Sequence, residues 1–261
     1  MLFRPTVLLC ATALLVASAS ANVALDVSQM EILEELYYST NGPKWTYNPT
    51  VIHSPVKWDF TKDGTGAYLM EGCTFSGVDC NSSPIVYDLG LNNYGLAGSL
   101  PDSFGGLVNI TSIALYGNAL TGALPKTMGA MTELWYFNAQ SNALSGALPG
   151  ELGALKKMQY LYLDDNKFEG SIPAEYGSFS EIVLLSLQLN KLSGPIPKEI
   201  GDLTSAAVLY LGYNQLSGAI PDEICNLTTT SIIDVSNNLF ECKPACVGPN
   251  VNTDYLLKEC K

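Results

Sequence analysis

The chain has 261 residues, 47% of them hydrophobic, and a formal net charge of −12. That length supports a sizeable core. The acidity argues against nucleic acid or an anionic membrane as a direct partner, since either would repel it. A single histidine leaves little material for acid–base or metal chemistry.

The chain begins MLFRPTVLLCATALLVASASA, with one positive charge at Arg4, an apolar run from Val7 to Ala17 and the small triplet Ala19, Ser20, Ala21. These three regions read as a secretory signal peptide over residues 1–21. The apolar run is shorter than the ~20 residues that span a bilayer. No second such run follows, and the closing DYLLKECK is not the hydrophobic tail of a lipid-anchor signal. The expectation is a secreted, extracellular chain without direct membrane insertion, for which a membrane-bound receptor is a candidate partner. Cys10 leaves with the signal, and Cys73, Cys80, Cys225, Cys242, Cys246 and Cys260 remain. An even number of cysteines in a secreted chain reads as disulfides. A zinc site built on Cys242, Cys246, Cys225 and Cys260 is the alternative, and the secretory context disfavours it.

Residues 22–84 read as an N-terminal cap. Ser28 with Glu31 forms a capping box. Met30, Leu33, Leu36 and Tyr37 then recur at helical spacing, and Asn41-Gly42-Pro43 stops the helix. The loop that follows carries Trp45, His53 and Trp58. The tryptophans are expected to pack as cap core rather than to form a ligand platform, because large aromatics dominate small cores. Asp59, Asp63 and Gly64 lack the spacing of a calcium-binding loop and read as a solvated turn.

From residue 85 to 238 one pattern repeats. Asparagine recurs at Asn118, Asn142, Asn166, Asn190, Asn214 and Asn238, each 24 residues after the last. Glycine keeps the same phase from Gly98 to Gly218, and proline from Pro101 to Pro221. Such a period marks a solenoid of stacked coils, none of which can bury its apolar face alone. Apolar positions such as Leu134, Phe137, Leu144, Leu148, Leu152 and Leu155 point inward, and the asparagine amides form a buried ladder between coils. The first coil departs from the pattern, with Tyr94 at the asparagine phase.

The repeat, written from Ile113 as IALYGNALTGALPKTMGAMTELWY, resembles the plant-specific subclass of leucine-rich repeats. That resemblance implies an α/β leucine-rich repeat solenoid: right-handed, about seven 24-residue coils, a parallel concave β-sheet, a helical N-terminal cap and a disulfide-stapled C-terminal cap. The helix, LYYSTNGPKW and CTFSGVDC together resemble the N-terminal cap of plant-type extracellular members, with Phe75 where that family often has tryptophan. TNGPKW is closer to versions found in protists and bacteria. The cap resemblance implies a Cys73–Cys80 bridge.

The last coil keeps Asn238 but places Cys242 at the glycine phase, and residues 239–261 read as the C-terminal cap, with Leu256 and Leu257 covering the end. Its four cysteines allow three pairings. The repeat phase favours Cys225–Cys246 with Cys242–Cys260. Glycosylation sequons occur at Asn81, Asn109 and Asn226. The latter two are expected on the side of the coil away from the strand.

Along each strand, outward residues alternate with inward ones. The outward set forms three columns. The first is Asp88, Ser112, Tyr136, Tyr160, Leu184, Val208 and Ile232. The second is Gly90, Ala114, Asn138, Tyr162, Ser186, Tyr210 and Asp234. The third is Asn92, Tyr116, Gln140, Asp164, Gln188, Gly212 and Ser236. The face thus holds Tyr116, Tyr136, Tyr160, Tyr162 and Tyr210 with Asn138, Gln140, Asp164 and Gln188, and no lysine or arginine. Tyrosine offers amphipathic area at low entropy cost and is enriched in binding hot spots. No nucleophile motif stands out, and neighbouring Asp164 and Asp165 point to different sides. The expectation is therefore a non-catalytic recognition module, without cofactor or metal, that binds a protein or peptide through this face. The design also resembles receptor-kinase ectodomains and secreted inhibitors of cell-wall pectinases. A structural or adhesion role in the extracellular matrix is the alternative. Ice binding would require a regular row of small residues such as threonine, which these columns lack.

Overall fold

The computed structural model of the protein describes residues 27–46, 56–69, 72–81, 85–246, 251–253 and 258–260. The signal segment 1–21, His53, Leu256 and Leu257 lie outside them.

The first element is the helix Val27–Ser39, whose Met30, Leu33 and Leu36 are buried. Ser28 lies inside its first turn, not ahead of it as a capping box requires. The chain leaves the helix through Asn41 in the left-handed region, φ 60°. Trp45 and Trp58 are both buried, edge to face at 4.9 Å, and Phe75 stacks on Trp58 at 5.4 Å. Each indole N–H is satisfied within the cap: Trp45 Nε1 donates to Thr40 O and Trp58 Nε1 to Ser76 O, both at 2.9 Å. Tyr94 meets Trp45 edge to face at 6.4 Å, so the first coil carries an aromatic at the asparagine phase because the cap lies beside it. Asp59 and Asp63 close exposed turns by accepting from the N–H and hydroxyl groups of Thr61 and Thr65.

The coils build a nine-stranded sheet that starts with Val78–Cys80 and ends with Val251–Asn252. Its first pair is antiparallel and the rest are parallel. Residues 24 apart are in register, as Tyr136 with Tyr160 and Phe137 with Leu161. The middle residue of each strand points into the core: Ile113, Phe137, Leu161, Leu185 and Leu209 are all fully buried.

A second, eight-stranded parallel sheet lies after the asparagine of each coil, in segments such as Ala119–Gly122 and Lys191–Gly194. Sequence analysis assigns no strand there. The segments are short and six of the eight carry a glycine at positive φ, as at Gly146 (φ +81°), so neither alternation nor β-propensity marks them. Short 3-10 helices such as Gly150–Ala154 complete the coil. The stack is close at this point: a Cβ on Gly153 would sit 2.3 Å from Glu175 O of the next coil.

The asparagine ladder is present in full. Asn166 Oδ1 accepts from Leu144 N (3.0 Å), and its Nδ2 donates to Ala139 O (2.9 Å), Leu163 O (3.3 Å) and Asp164 O (3.2 Å). Asn142, Asn190 and Asn214 repeat this arrangement.

Disulfides join Cys73 to Cys80, Cys225 to Cys246 and Cys242 to Cys260. Both sheets run on past residue 238, through Val251–Asn252 beside Ile232–Asp234 and Lys258–Glu259 beside Leu239–Lys243. The two C-terminal bridges thus staple a partial further coil. No helix among the described residues is long and apolar enough to cross a membrane.

Candidate functional site

The register of the first sheet carries the outward columns across the concave face. Column one runs in unbroken pairings from Asp88 through Tyr136 and Tyr160 to Ile232, and column two from Gly90 through Asn138 and Tyr162 to Asp234. Column three lies just beyond the strand ends, with Tyr116, Gln140, Asp164 and Gln188 half-buried.

The tyrosines of the middle coils form a connected aromatic cluster. Tyr136 lies 6.4 Å from Tyr160 and 6.1 Å from Tyr162, centroid to centroid. Trp135 joins them, 5.7 Å from Tyr136 and 6.1 Å from Tyr160, and is 40% exposed. Sequence analysis does not select Trp135, because it precedes the strand and belongs to no outward column. The available signal is that it alone of the three tryptophans stands outside the cap. Tyr136 is the hub of the group, meeting all three other rings; burial raises the phenol pKa of Tyr162, and Tyr136, Tyr160, Asp164 and Tyr210 add to the rise in that order.

Asn138 is not free to reach a ligand. It is 7% exposed, its Nδ2 donates to Tyr136 Oη (3.2 Å), and its Oδ1 accepts from Gln140 N (3.0 Å). The short amide is spent in fixing its larger neighbours. Beside Tyr162, Asp164 Oδ1 and Ser186 Oγ are both sealed from solvent, and Ser186 is 2% exposed. The Asp164 pKa is raised chiefly by burial, and the nearby Ser186 hydroxyl pulls it down. At the N-terminal end of the face, Asp79 stands opposite Asp88, whose carboxyl is raised by burial and, to a lesser degree, by Asp79.

The rim of the face carries a second feature. The residue before each ladder asparagine has a positive φ, and most coils place Gly117, Ser141, Asp165 or Asn237 there. Two coils instead place Leu189 and Tyr213, both at φ 55° and 47% and 52% exposed. Bulky residues are rare in this region, whose cost is roughly 1–2 kcal/mol for an ordinary L-residue and less for asparagine. Leu189→Asn and Tyr213→Asn should therefore each raise stability, by about 0.5–1 kcal/mol in a denaturant titration. An unchanged or lower midpoint would show that the exposed side chains support the fold.

The sequon asparagines Asn81, Asn109 and Asn226 are exposed. Asn226 ends the 3-10 helix Asp222–Asn226, away from the concave strand, whereas Asn109 lies only three residues before the strand Ser112–Ala114, closer to that face than its sequence phase suggests. A groove of about 910 Å³ lies elsewhere, lined by Lys126, Glu151, Ile172, Pro173, Glu175 and Pro197. A smaller one repeats its proline walls a coil earlier, at Pro125 and Pro149. A groove that recurs with the coil belongs to the scaffold.

The Leucine Rich Repeat family model matches residues 157–179 and 207–227, within the coils just described. The fold is a leucine-rich repeat solenoid. No match is found among curated proteins. Among solved structures, the chain is similar to a plant ice-binding protein, at 22% identity and TM-score 0.68 over 88% of this chain and 71% of that one. At that identity the likeness is one of fold. It is also similar to PEPR1 solved with AtPEP1 (26% identity, TM-score 0.62, 87% of this chain and 34% of that one). A third likeness is the plant peptide hormone receptor RGFR1 in complex with RGF2 (30% identity, TM-score 0.60, 66% of this chain and 28% of that one). The chain therefore spans about a third of those two receptor chains.

Proposed function

We propose that this protein is a secreted, non-catalytic recognition module of the plant-type repeat subclass that binds a protein or peptide on its concave face. The observation that carries the reading is the connected cluster of Tyr136, Tyr160 and Tyr162 on outward positions, joined by the exposed Trp135 ahead of the strand. The core does not need these rings, since each strand's inward residue is buried behind them. Aromatic anchors of this kind concentrate interface energy. The sheet of nine strands, stacked about 4.8 Å apart, offers roughly 40 Å of track for an extended ligand. The peptide-receptor structures it resembles support the same class of ligand. Inhibition of a secreted hydrolase would use the same face and is a special case of this reading. Ice binding is not favoured: one outward row of the second sheet reads Ala119, Ala143, Lys167, Lys191, Gln215 and Leu239, and the other, Thr121, Ser145, Glu169, Ser193 and Ser217, is interrupted by a glutamate, so neither is a regular row.

The test is capture of ligand from extracellular fluid of the source, followed by affinity measurement. Replacing Tyr160 and Tyr162 with alanine should weaken a captured ligand at least tenfold, or about 1.4 kcal/mol, with little change in melting. Lys198→Ala, on a 3-10 helix, should leave affinity unchanged. Equal affinity of the tyrosine variant and the parent would remove the concave face as the site.

A further inference from the structure

Three of the exposed large hydrophobic side chains, Tyr87, Val108 and Trp135, fall around one exposed sequon asparagine, Asn109. Val108 is its chain neighbour. Tyr87 and Trp135 stand one period either side of Thr111, the threonine of the sequon (111 − 87 = 24 and 135 − 111 = 24). The backbone fixes these three coils in that order: Thr111 N donates to Tyr87 O (2.8 Å) and Trp135 N to Thr111 O (3.0 Å). Thr111 is two residues from Asn109, at most about 7 Å, and the adjacent coils lie about 4.8 Å to either side, so the Cα atoms of Tyr87 and Trp135 are within about 9 Å of that of Asn109. The Trp135 ring meets Tyr136 of its own coil and Tyr160 of the next. Among the described residues, the coil that bears Asn109, on the other side, supplies no ring to cover it, and Trp135 stays 40% exposed. Asn226 has no such setting: it ends the 3-10 helix Asp222–Asn226, whose counterpart one coil earlier, Lys198–Asp202, exposes no large hydrophobic side chain. Exposed apolar groups gathered in one place mark a surface that something covers.

We propose that an N-linked glycan on Asn109 is seated on this patch, its first N-acetylglucosamine residues packed against Trp135 with Val108 and Tyr87 beside them. The inference rests on the secreted reading above, since such glycans belong to secreted chains, and is independent of what the concave face binds. The chemistry fits. A pyranose presents a face of C–H groups that is apolar and weakly positive, and an aromatic ring presents a large apolar face that is negative. Packing the two removes apolar surface from water while the sugar hydroxyls stay solvated. The tether supplies the rest. Linked to Asn109, the sugar is held at high effective concentration over the ring, so a contact too weak to capture a free sugar suffices. A second protein would need the same surface, but the sequon stands in its midst and a bulky glycan there blocks that approach. Trp135 lies at the border between the patch and the tyrosine cluster. The glycan thus walls the edge of the concave face at which the strands begin, and leaves Tyr160 and Tyr162 open from the rim at which they end.

The test uses the full chain, expressed in a glycosylating eukaryotic host and recovered from the medium. Mass spectrometry reads occupancy at each sequon. Acrylamide quenching reads Trp135, because Trp45 and Trp58 are buried in the cap while Trp135 is exposed. Asn109 should be occupied, and Asn109→Gln should raise the quenchable fluorescence about twofold or more by uncovering the ring. Asn226→Gln, which removes a sequon from the end of a 3-10 helix, should not change it. A double-mutant cycle separates seating on the ring from the mere presence of a glycan. Asn109→Gln should raise the unfolding equilibrium constant about threefold or more in the parent and leave it unchanged in a Trp135→Ala background. An empty Asn109 in the exported protein overturns the proposal. So does equal quenching with and without the Asn109 glycan, an equal response to Asn226→Gln, or an equal effect of Asn109→Gln on stability in both backgrounds. The concave-face reading survives all of these and falls only if Tyr160→Ala with Tyr162→Ala leaves ligand affinity unchanged. Failure of the chain to leave the cell would overturn the secreted reading and the proposal together.

Discussion

Asn166→Ala lowers stability by roughly 2–4 kcal/mol, read as a shift in the denaturant midpoint. The size follows from what is left behind. The amide takes the Leu144 N–H and gives protons to the carbonyls of Ala139, Leu163 and Asp164, so one side chain ties together two coils. Alanine removes all of these at once, and each buried backbone group that loses its only partner costs about 1–3 kcal/mol. Water cannot compensate readily, since Asn166 is 9% exposed and Leu144 fully buried. Asn166→Asp should not rescue: it keeps an acceptor for Leu144 but offers no proton to Ala139 and buries a charge. Hydrogen exchange provides the local check, because the Leu144 amide should lose protection before its neighbours in the same coil. Unchanged stability in Asn166→Ala would mean that the coils are joined by their apolar contacts alone, and the ladder would be a by-product of the geometry.

The ladder also shows which parts of the molecule are legible in the sequence. A residue type repeated every 24 positions with the same partners in every coil leaves an unambiguous trace, and the concave register follows from it, since residues one period apart must stack. The second sheet leaves no comparable trace. Its strands Ala119–Gly122 and Lys191–Gly194 are four residues long, each ends on a glycine, and the residues they present outward are dictated by no shared environment. The parallel strands pair there with a different offset, Thr121 with Ala143, 22 residues on, so the 24-residue phase does not reveal the pairing. At the C-terminus the cysteines marked the staple, but not that both sheets continue through it at Val251–Asn252 and Lys258–Glu259.

The candidate site was legible in part for a related reason. Column positions can be assigned from period and alternation, so Tyr136, Tyr160 and Tyr162 were identified as outward-facing. What alternation does not encode is how neighbours use one another. Asn138 is outward by position yet buried at 7%, because Tyr136 Oη and the Gln140 backbone N–H engage its amide. Trp135 lies ahead of the strand, yet it enters the cluster because its ring meets those of Tyr136 and Tyr160. That Asp164 Oδ1 and Ser186 Oγ are sealed from solvent requires coordinates to be seen at all.

Within a single coil, LLSLQLN at residues 184–190 provides the sharpest test of this geometry, because it presents leucine in several environments. Leu185 and Leu187 are fully buried, Leu184 is half-buried on the concave face, and Leu189 is 47% exposed at a positive φ. Leu185→Ala should cost about 2–5 kcal/mol, the range for deleting a fully buried leucine side chain in a core that collapses only partly around the cavity. Leu187→Ala should cost a similar amount. Leu184→Ala, the same chemical change one residue away, should cost less than about 1 kcal/mol, since its outward side chain leaves no sealed cavity. The comparison cancels helix and strand propensity, which the two substitutions share, and leaves direction alone as the variable. In a solenoid the Leu185→Ala loss falls on the interfaces with the coils of Leu161 and Leu209, which flank it in register. Hydrogen exchange should therefore show weakened protection in these three coils ahead of the cap. A Leu184→Ala penalty equal to that of Leu185→Ala would place both side chains in the core, shift the strand register by one residue, and turn the tyrosine columns away from solvent.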